Sequence, residues 1–138
     1  MNRLQRLLIR HEGYESKPYD DGLGNLTIGV GRNLSDLGLS RDEVLYLLDN
    51  DLNRCDRELK YNFKWYLDLC PVRQDAMVNL CFNLGLPRLK TFKKALAAMA
   101  EEKFETAADE FLDSKWARQV GPTRSGEIAS MIRTGLYP

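Results

Sequence analysis

The apolar positions of this chain recur first with helical spacing, then with strand spacing, then with helical spacing again. Leu4, Leu7, Leu8 and His11 fall at i, i+3, i+4 and i+7, one face of a helix. A helix over residues 2–12 is expected, stopped by Gly13, because glycine takes a left-handed stop cheaply. Glu12 continues the row of Leu4 and Leu8, so its carboxylate is expected to point inward. Asp20-Asp21-Gly22 and Gly24-Asn25 are turn signals. In Leu26-Thr27-Ile28-Gly29-Val30-Gly31 the period is two, with Leu26, Ile28 and Val30 on one face. Thr27 and two glycines line the other face, which a flat ligand could approach closely. Residues 14–34 therefore read as a small hairpin.

Past a short loop, Ser40-Arg41-Asp42-Glu43 has the form of a capping box, which predicts a long helix to about Lys60. Its stripe is Val44, Leu48, Leu52, Cys55 and Leu59, with Leu45 and Leu47 beside it. Tyr61 to Leu69 is aromatic but aperiodic. Pro71 suits the first turn of the next helix. From Ala76 to Leu84 nearly every side is apolar, as in a helix buried all round, and Gly85 and Pro87 end it. Further stripes follow at Phe92, Ala95, Leu96 and Met99, then at Phe104, Ala107, Ala108, Phe111 and Leu112. The last runs from near Thr123 to Thr134 with Ile128, Ala129 and Ile132 inward. The sum is an α+β arrangement, mostly helix with one small antiparallel sheet. A small N-terminal lobe spans about 12–60 with the sheet near 14–34. The long helix links it to a helical C-terminal lobe at about 70–138, to which the helix 2–12 is assigned as well.

Composition changes this picture little. The chain has 138 residues, 43% hydrophobic and 29% charged, ordinary for one globular domain. Lys+Arg and Asp+Glu are both 20, so no whole-protein field argues for nucleic acid or membrane. Arg88, Lys90, Lys93 and Lys94 form a local basic run, read as a solvated face, with an anionic cell wall as the sharper alternative. Cys55, Cys70 and Cys81 are odd in number, and two of them fall in helical stripes. Reduced thiols are expected rather than a disulfide framework, which suits a reducing cytoplasm. One histidine and no C-x-x-C leave no credible zinc site. No N-terminal run is long enough for a signal peptide or a membrane anchor.

The candidate chemistry lies between Glu12 and Arg32. Two acids and a hydroxyl flank a strand with few side chains. Glycoside cleavage needs such a set: one carboxylic acid protonates the leaving oxygen, and one carboxylate activates water or attacks the sugar. Glu12, Asp21 and Thr27, with eight residues between the first two and five between the last two, match the catalytic spacing of the T4-type phage lysozymes. Leu26 to Gly31 resembles the T-I-G-x-G strand of that family. Val78-Asn79-Leu80-Cys81-Phe82-Asn83-Leu84-Gly85 resembles its central helix. Ser114-Lys115-Trp116, Gln119, Pro122-Thr123-Arg124 and Arg133-Thr134-Gly135 resemble its C-terminal signature. The resemblance covers nearly the whole chain and implies a lysozyme-like fold.

It further implies a muramidase of the endolysin type, needing no cofactor and no metal. The expected substrate is peptidoglycan, cut at the β-1,4 bond between N-acetylmuramic acid and N-acetylglucosamine, with host cell lysis as the outcome. Glu12 is then the general acid, and Asp21 with Thr27 positions the water. Asp20, next door, competes for the place of Asp21, and either can be a turn residue. Phe82 and Asn83 are candidate sugar contacts, although Phe82 fits a core equally. Arg124 is placed beside the acid by the resemblance. His11 reads as a core or helix-end histidine, and Trp116 as a packing residue. Several relatives carry a histidine in a structural ion pair where this chain has Arg32, which can form the pair without titrating near neutral pH. The protein is expected to be a monomer made in the host cytoplasm, reaching the wall once a separate protein permeabilises the inner membrane. A lytic transglycosylase, which uses one acid and forms an anhydro sugar, is disfavoured by Asp21 and Thr27. A non-catalytic wall-binding domain is disfavoured by all three site residues.

Overall fold

A computed structural model describes residues Met1–Pro138. The elements are α1 (Arg3–Glu12), β1 (Glu15–Asp20), β2 (Leu26–Gly29), β3 (Arg32–Asn33) and α2 (Arg41–Asn62). A 3-10 turn (Lys64–Asp68) follows, then α3 (Pro71–Leu84), α4 (Leu86–Leu89), α5 (Lys93–Ala100), α6 (Phe104–Leu112), α7 (Lys115–Val120) and α8 (Pro122–Thr134). The α+β expectation holds: helices dominate, and one antiparallel sheet of order β1-β2-β3 sits near the start. The chain divides into two compact units, Met1–Leu47 and Leu48–Pro138, and the boundary falls inside α2.

In the first unit, α1 opens with a capping box. Asn2 Oδ1 accepts the Gln5 N–H at 2.8 Å, and Gln5 Oε1 accepts the Asn2 N–H at 2.8 Å. Gly13 stops the helix at φ 87°, its N–H donating to Ile9 O at 2.8 Å. Leu4, Leu7 and Leu8 share a face as their spacing predicts, yet all three are exposed, and so is Glu12. The inward-pointing carboxylate is therefore corrected. The physical reason is size: a unit of so few residues encloses little, and its only buried side chain is Thr27. In the sheet, Tyr19 faces Thr27 and Asp20 faces Leu26, with a register shift between Glu15 and Tyr19. Across β2 and β3, Thr27 faces Asn33 and Ile28 faces Arg32. The strand is shorter than its alternation suggests. It ends at Gly29, and the chain reverses through Val30 and Gly31, because Gly29 and Gly31 both take φ of 69°.

The second unit contains the core. Cys55 and Leu59 of α2, Tyr66 of the 3-10 turn, and Ala76, Met77, Leu80 and Cys81 of α3 are buried together. Ala95, Met99, Ala107, Phe111, Trp116, Ile128 and Ile132 complete the cluster. Helix α6 packs against α5 and α8, and α3 packs against α8. Cys55 and Cys81 are free thiols with almost no exposure, as expected, and burial pushes the Cys81 thiol up to about 12. Helix α3 is not apolar all round at its end, since Phe82 is 43% exposed and Asn83 is exposed. Arg73 ties α3 to the last helix by donating to Ile132 O at 2.7 Å and Arg133 O at 2.9 Å, carbonyls that α8 leaves without helical partners. No helix is long and apolar enough to cross a membrane.

Candidate active site

The hairpin loop between β1 and β2 is held by two adjacent carboxylates used in the same way. Asp20 Oδ1 accepts the N–H of Gly22 at 2.7 Å and of Gly24 at 3.3 Å. Asp21 Oδ1 accepts the N–H of Leu23 at 2.7 Å and of Asn25 at 3.2 Å. Both acids thus do the turn work that their residue type suggests. Only Asp21 has a further tie: its Oδ2 accepts the Asn25 side-chain amide at 3.1 Å. The Leu23 N–H first, then the Asn25 amide, hold its carboxyl below the ordinary aspartate value. An aspartate in that state stays ionised into acid solution, as a base or an electrostatic anchor must.

Thr27 stands on the central strand opposite Tyr19 on one side and Asn33 on the other, and is only 4% exposed. Thr27 itself is thus covered, while the same face stays open at Gly29, where an added Cβ would meet nothing within 4 Å. Thr27 Oγ1 donates to Asn25 O at 3.1 Å. Asp21 and Thr27 thereby share one neighbour. Sequence reasoning treated Asn25 only as a turn residue, and a cross-loop link of this kind leaves no periodic signal.

Glu12 ends α1 against the reversal after β2. A Cβ built on Gly31 would lie 3.0 Å from Glu12 Oε2. A side chain there would oblige the carboxylate to give by a few tenths of an ångström. Next along, Arg32 Nη1 donates to Gly38 O at 3.0 Å and pairs with Glu43 Oε1 at 3.0 Å. Arg32 thus makes an ion pair. Glu43 Oε1 also accepts the Ser40 N–H at 2.9 Å, while Ser40 Oγ accepts the Glu43 N–H at 3.2 Å. The predicted capping box is in place. Arg32 first, then Ser40, bring the Glu43 carboxyl down to about 2.

The remaining candidates lie in the second unit. Arg124 gives Nε and Nη2 to Asn79 Oδ1 at 3.2 and 2.8 Å, so α8 presents its guanidinium in one orientation to α3. A cavity of about 580 Å³ is lined by Asn79, Phe82 and Arg124 together with Asp75, Tyr66 and Tyr137. Phe82 and Arg124 are thus brought together. Asn83 faces α7, where its Oδ1 accepts the Trp116 Nε1–H at 2.7 Å. Trp116, 2% exposed, is the packing residue it was expected to be. His11 is exposed at the end of α1, a helix-end histidine and not a core one. No group of acids, histidines and cysteines is placed to hold a metal ion.

The sequence model of the phage lysozyme family matches residues 9–131. Two proteins of Dictyostelium discoideum, probable T4-type lysozymes 1 and 2, are similar over nearly their whole length. The first is 28% identical over 164 aligned positions, covering 98% of this chain and 96% of that protein. The second is 26% identical over 165, with the same coverage. The pre-baseplate central spike protein Gp5 of Enterobacteria phage T4 is 26% identical over 96% of this chain, which corresponds to 28% of that larger protein. With the family matched across both units, the chain belongs to the phage lysozyme family and is a glycoside hydrolase of the lysozyme type.

Proposed function

We propose that this enzyme hydrolyses the β-1,4 bond between N-acetylmuramic acid and N-acetylglucosamine in bacterial peptidoglycan, with Glu12 as general acid and Asp21 with Thr27 holding the attacking water. The observation that carries the reading is the link of Asp21 and Thr27 through Asn25, in a chain whose spacing from Glu12 to Asp21 and Thr27 resembles that of the T4-type lysozymes. Asp20 has no such link, which favours Asp21 as the base. The proton of Glu12 passes to the leaving oxygen as the C1–O bond breaks. The water gives a proton to Asp21 as its oxygen bonds to C1. This is single displacement with inversion. Phe82, Arg124 and the side-chain NH2 of Asn83 are proposed sugar contacts. The enzyme acts as a monomer in host cell lysis, is made in the host cytoplasm, and meets the wall after a separate protein opens the inner membrane.

Product analysis tests this. Digestion of purified wall should release reducing ends whose first-formed anomer is α, read by proton NMR before mutarotation. The β anomer first would mean a covalent intermediate, and the water-holding pair would be dropped. An anhydro product would mean a transglycosylase. A folded Glu12→Gln protein should lose roughly 10²–10⁴-fold or more in rate, the worth of a proton donor. Cleavage by that variant near the parent rate would end the assignment of Glu12.

A further inference from the structure

The backbone N–H, the carbonyl and the side-chain NH2 of Asn25 all bond to Asp21 or Thr27. The N–H donates to Asp21 Oδ1 at 3.2 Å and the NH2 to Asp21 Oδ2 at 3.1 Å. The carbonyl accepts the Asp21 N–H at 3.1 Å and the Thr27 Oγ1–H at 3.1 Å. The amide orientation follows from the partner, because only NH2 can face a carboxylate oxygen favourably. The direction of the threonine proton follows in the same way, since a carbonyl accepts and never donates.

We infer that Asn25 is the positioning residue of the water-activating pair. By clamping both oxygens of Asp21 and taking up the single proton of Thr27, it leaves two acceptors and no donor for the water. The inference rests on the proposed roles of Asp21 and Thr27. Its chemical content is a direction. A water between them gives one O–H to Asp21 and the other to Thr27 Oγ1. Both of its hydrogens are then engaged, and its lone pairs remain for the anomeric carbon. Had Thr27 donated to the water, one of those lone pairs would be occupied. As the oxygen–C1 bond forms, the proton on the Asp21 side moves to that carboxylate. Glu12 supplies the proton that leaves with the departing sugar, so charge and protons balance.

The charged surroundings leave Asn25 as the side chain that acts on Asp21. Asp20 precedes it with its carboxylate turned to the N–H groups of Gly22 and Gly24. Glu15, Lys17 and Tyr19 are the other titratable residues on β1, β2 carries none, Arg32 on β3 is engaged by Glu43 and Gly38, and the Glu12 carboxylate lies against Gly31.

The test compares Asn25→Asp, Asn25→Ala and Asp21→Asn by kcat, KM and the pH profile of wall hydrolysis, with unfolding midpoints measured alongside. Asn25→Asp keeps the size and the backbone bonds but loses the donor and adds a negative charge. Its kcat should fall roughly 10- to 100-fold, the usual consequence of a misplaced reacting group, with KM little changed. Its acid limb should move to higher pH, because Asp21 then ionises less readily. Asn25→Ala should move the limb the same way by less, and it decides the matter should the aspartate variant fold poorly. A purely structural Asn25 would lower the unfolding midpoint and leave kcat and the acid limb of the folded protein in place, and that result overturns the inference. Should Asp21→Asn keep its activity, the base itself is misassigned, an outcome distinct from failure at Asn25 alone.

Discussion

A Cβ at Gly31 would stand 3.0 Å from Glu12 Oε2, and φ there is 69°. Both facts act against any other residue. The conformation costs an L-residue about 1–2 kcal/mol, and the contact is closer than a side-chain carbon tolerates without a shift. The carboxylate is the softer partner, so it should yield. Gly31→Ala is predicted to fold, with an unfolding midpoint a few degrees lower, and to lose about tenfold or more in kcat as the proton donor is displaced. Kinetics on purified wall beside thermal unfolding checks it, and a folded Gly31→Ala at parent kcat refutes it. At this scale the sequence was partly legible. The spacing of Glu12, Asp21 and Thr27 and the turn chemistry of Asp20 and Asp21 could be read, because both are local. The nearness of Gly31 to Glu12, the burial of Thr27 and the link through Asn25 could not, because each is a meeting across a turn or a sheet that no periodicity records.

At the scale of elements, Glu43 shows one side chain serving two structures. It closes the capping box of α2 and holds Arg32 of β3. Its carboxyl lies at about 2, against an ordinary 4.5. A carboxylate depressed in the folded state stabilises fully above its unfolded value and loses that contribution as pH falls through its folded value. The window is therefore pH 4.5 down to about 2. The pair is more than one-third exposed on both sides, so the effect is modest. The predicted contrast is Arg32→His. A histidine gaining Glu43 as partner has its folded pKa raised, so its contribution is present in mild acid and lost as pH rises through that value. Unfolding midpoints of the parent should be flat through neutrality, while those of Arg32→His decline towards alkaline pH. Parallel profiles would refute the pairing as a source of stability. Elements were legible in proportion to their length. The stripes of α2, α5, α6 and α8 span enough turns to show a period. Helices α4 and α7, at 4 and 6 residues, do not, and α4 begins just where Gly85 and Pro87 signalled a stop.

At the scale of the whole molecule, the α+β composition was legible because strand and helix periods separate cleanly at the hairpin. Whole-molecule charge makes the last prediction. The substrate proposed here is anionic, yet the chain carries no net charge, with Lys+Arg and Asp+Glu both 20. No long-range field then draws it to the wall, and salt has little to screen. In the basic run of Arg88, Lys90, Lys93 and Lys94, the two adjacent lysines have acids beside them. Lys93 and Lys94 line a cavity of about 380 Å³ together with Glu110 and Asp113, and Arg88 is bonded to Gln119 Oε1 at 2.8 Å. Opposed charges that close cancel beyond about one Debye length, about 8 Å at physiological ionic strength. The rate of wall clearing should therefore change by less than about threefold from low to moderately high salt. Lys93→Glu with Lys94→Glu should leave both the rate and its salt dependence nearly as they were. A tenfold fall with salt that disappears in that double variant would show instead that the basic run, and not the fit of sugar to site, brings the enzyme to the wall.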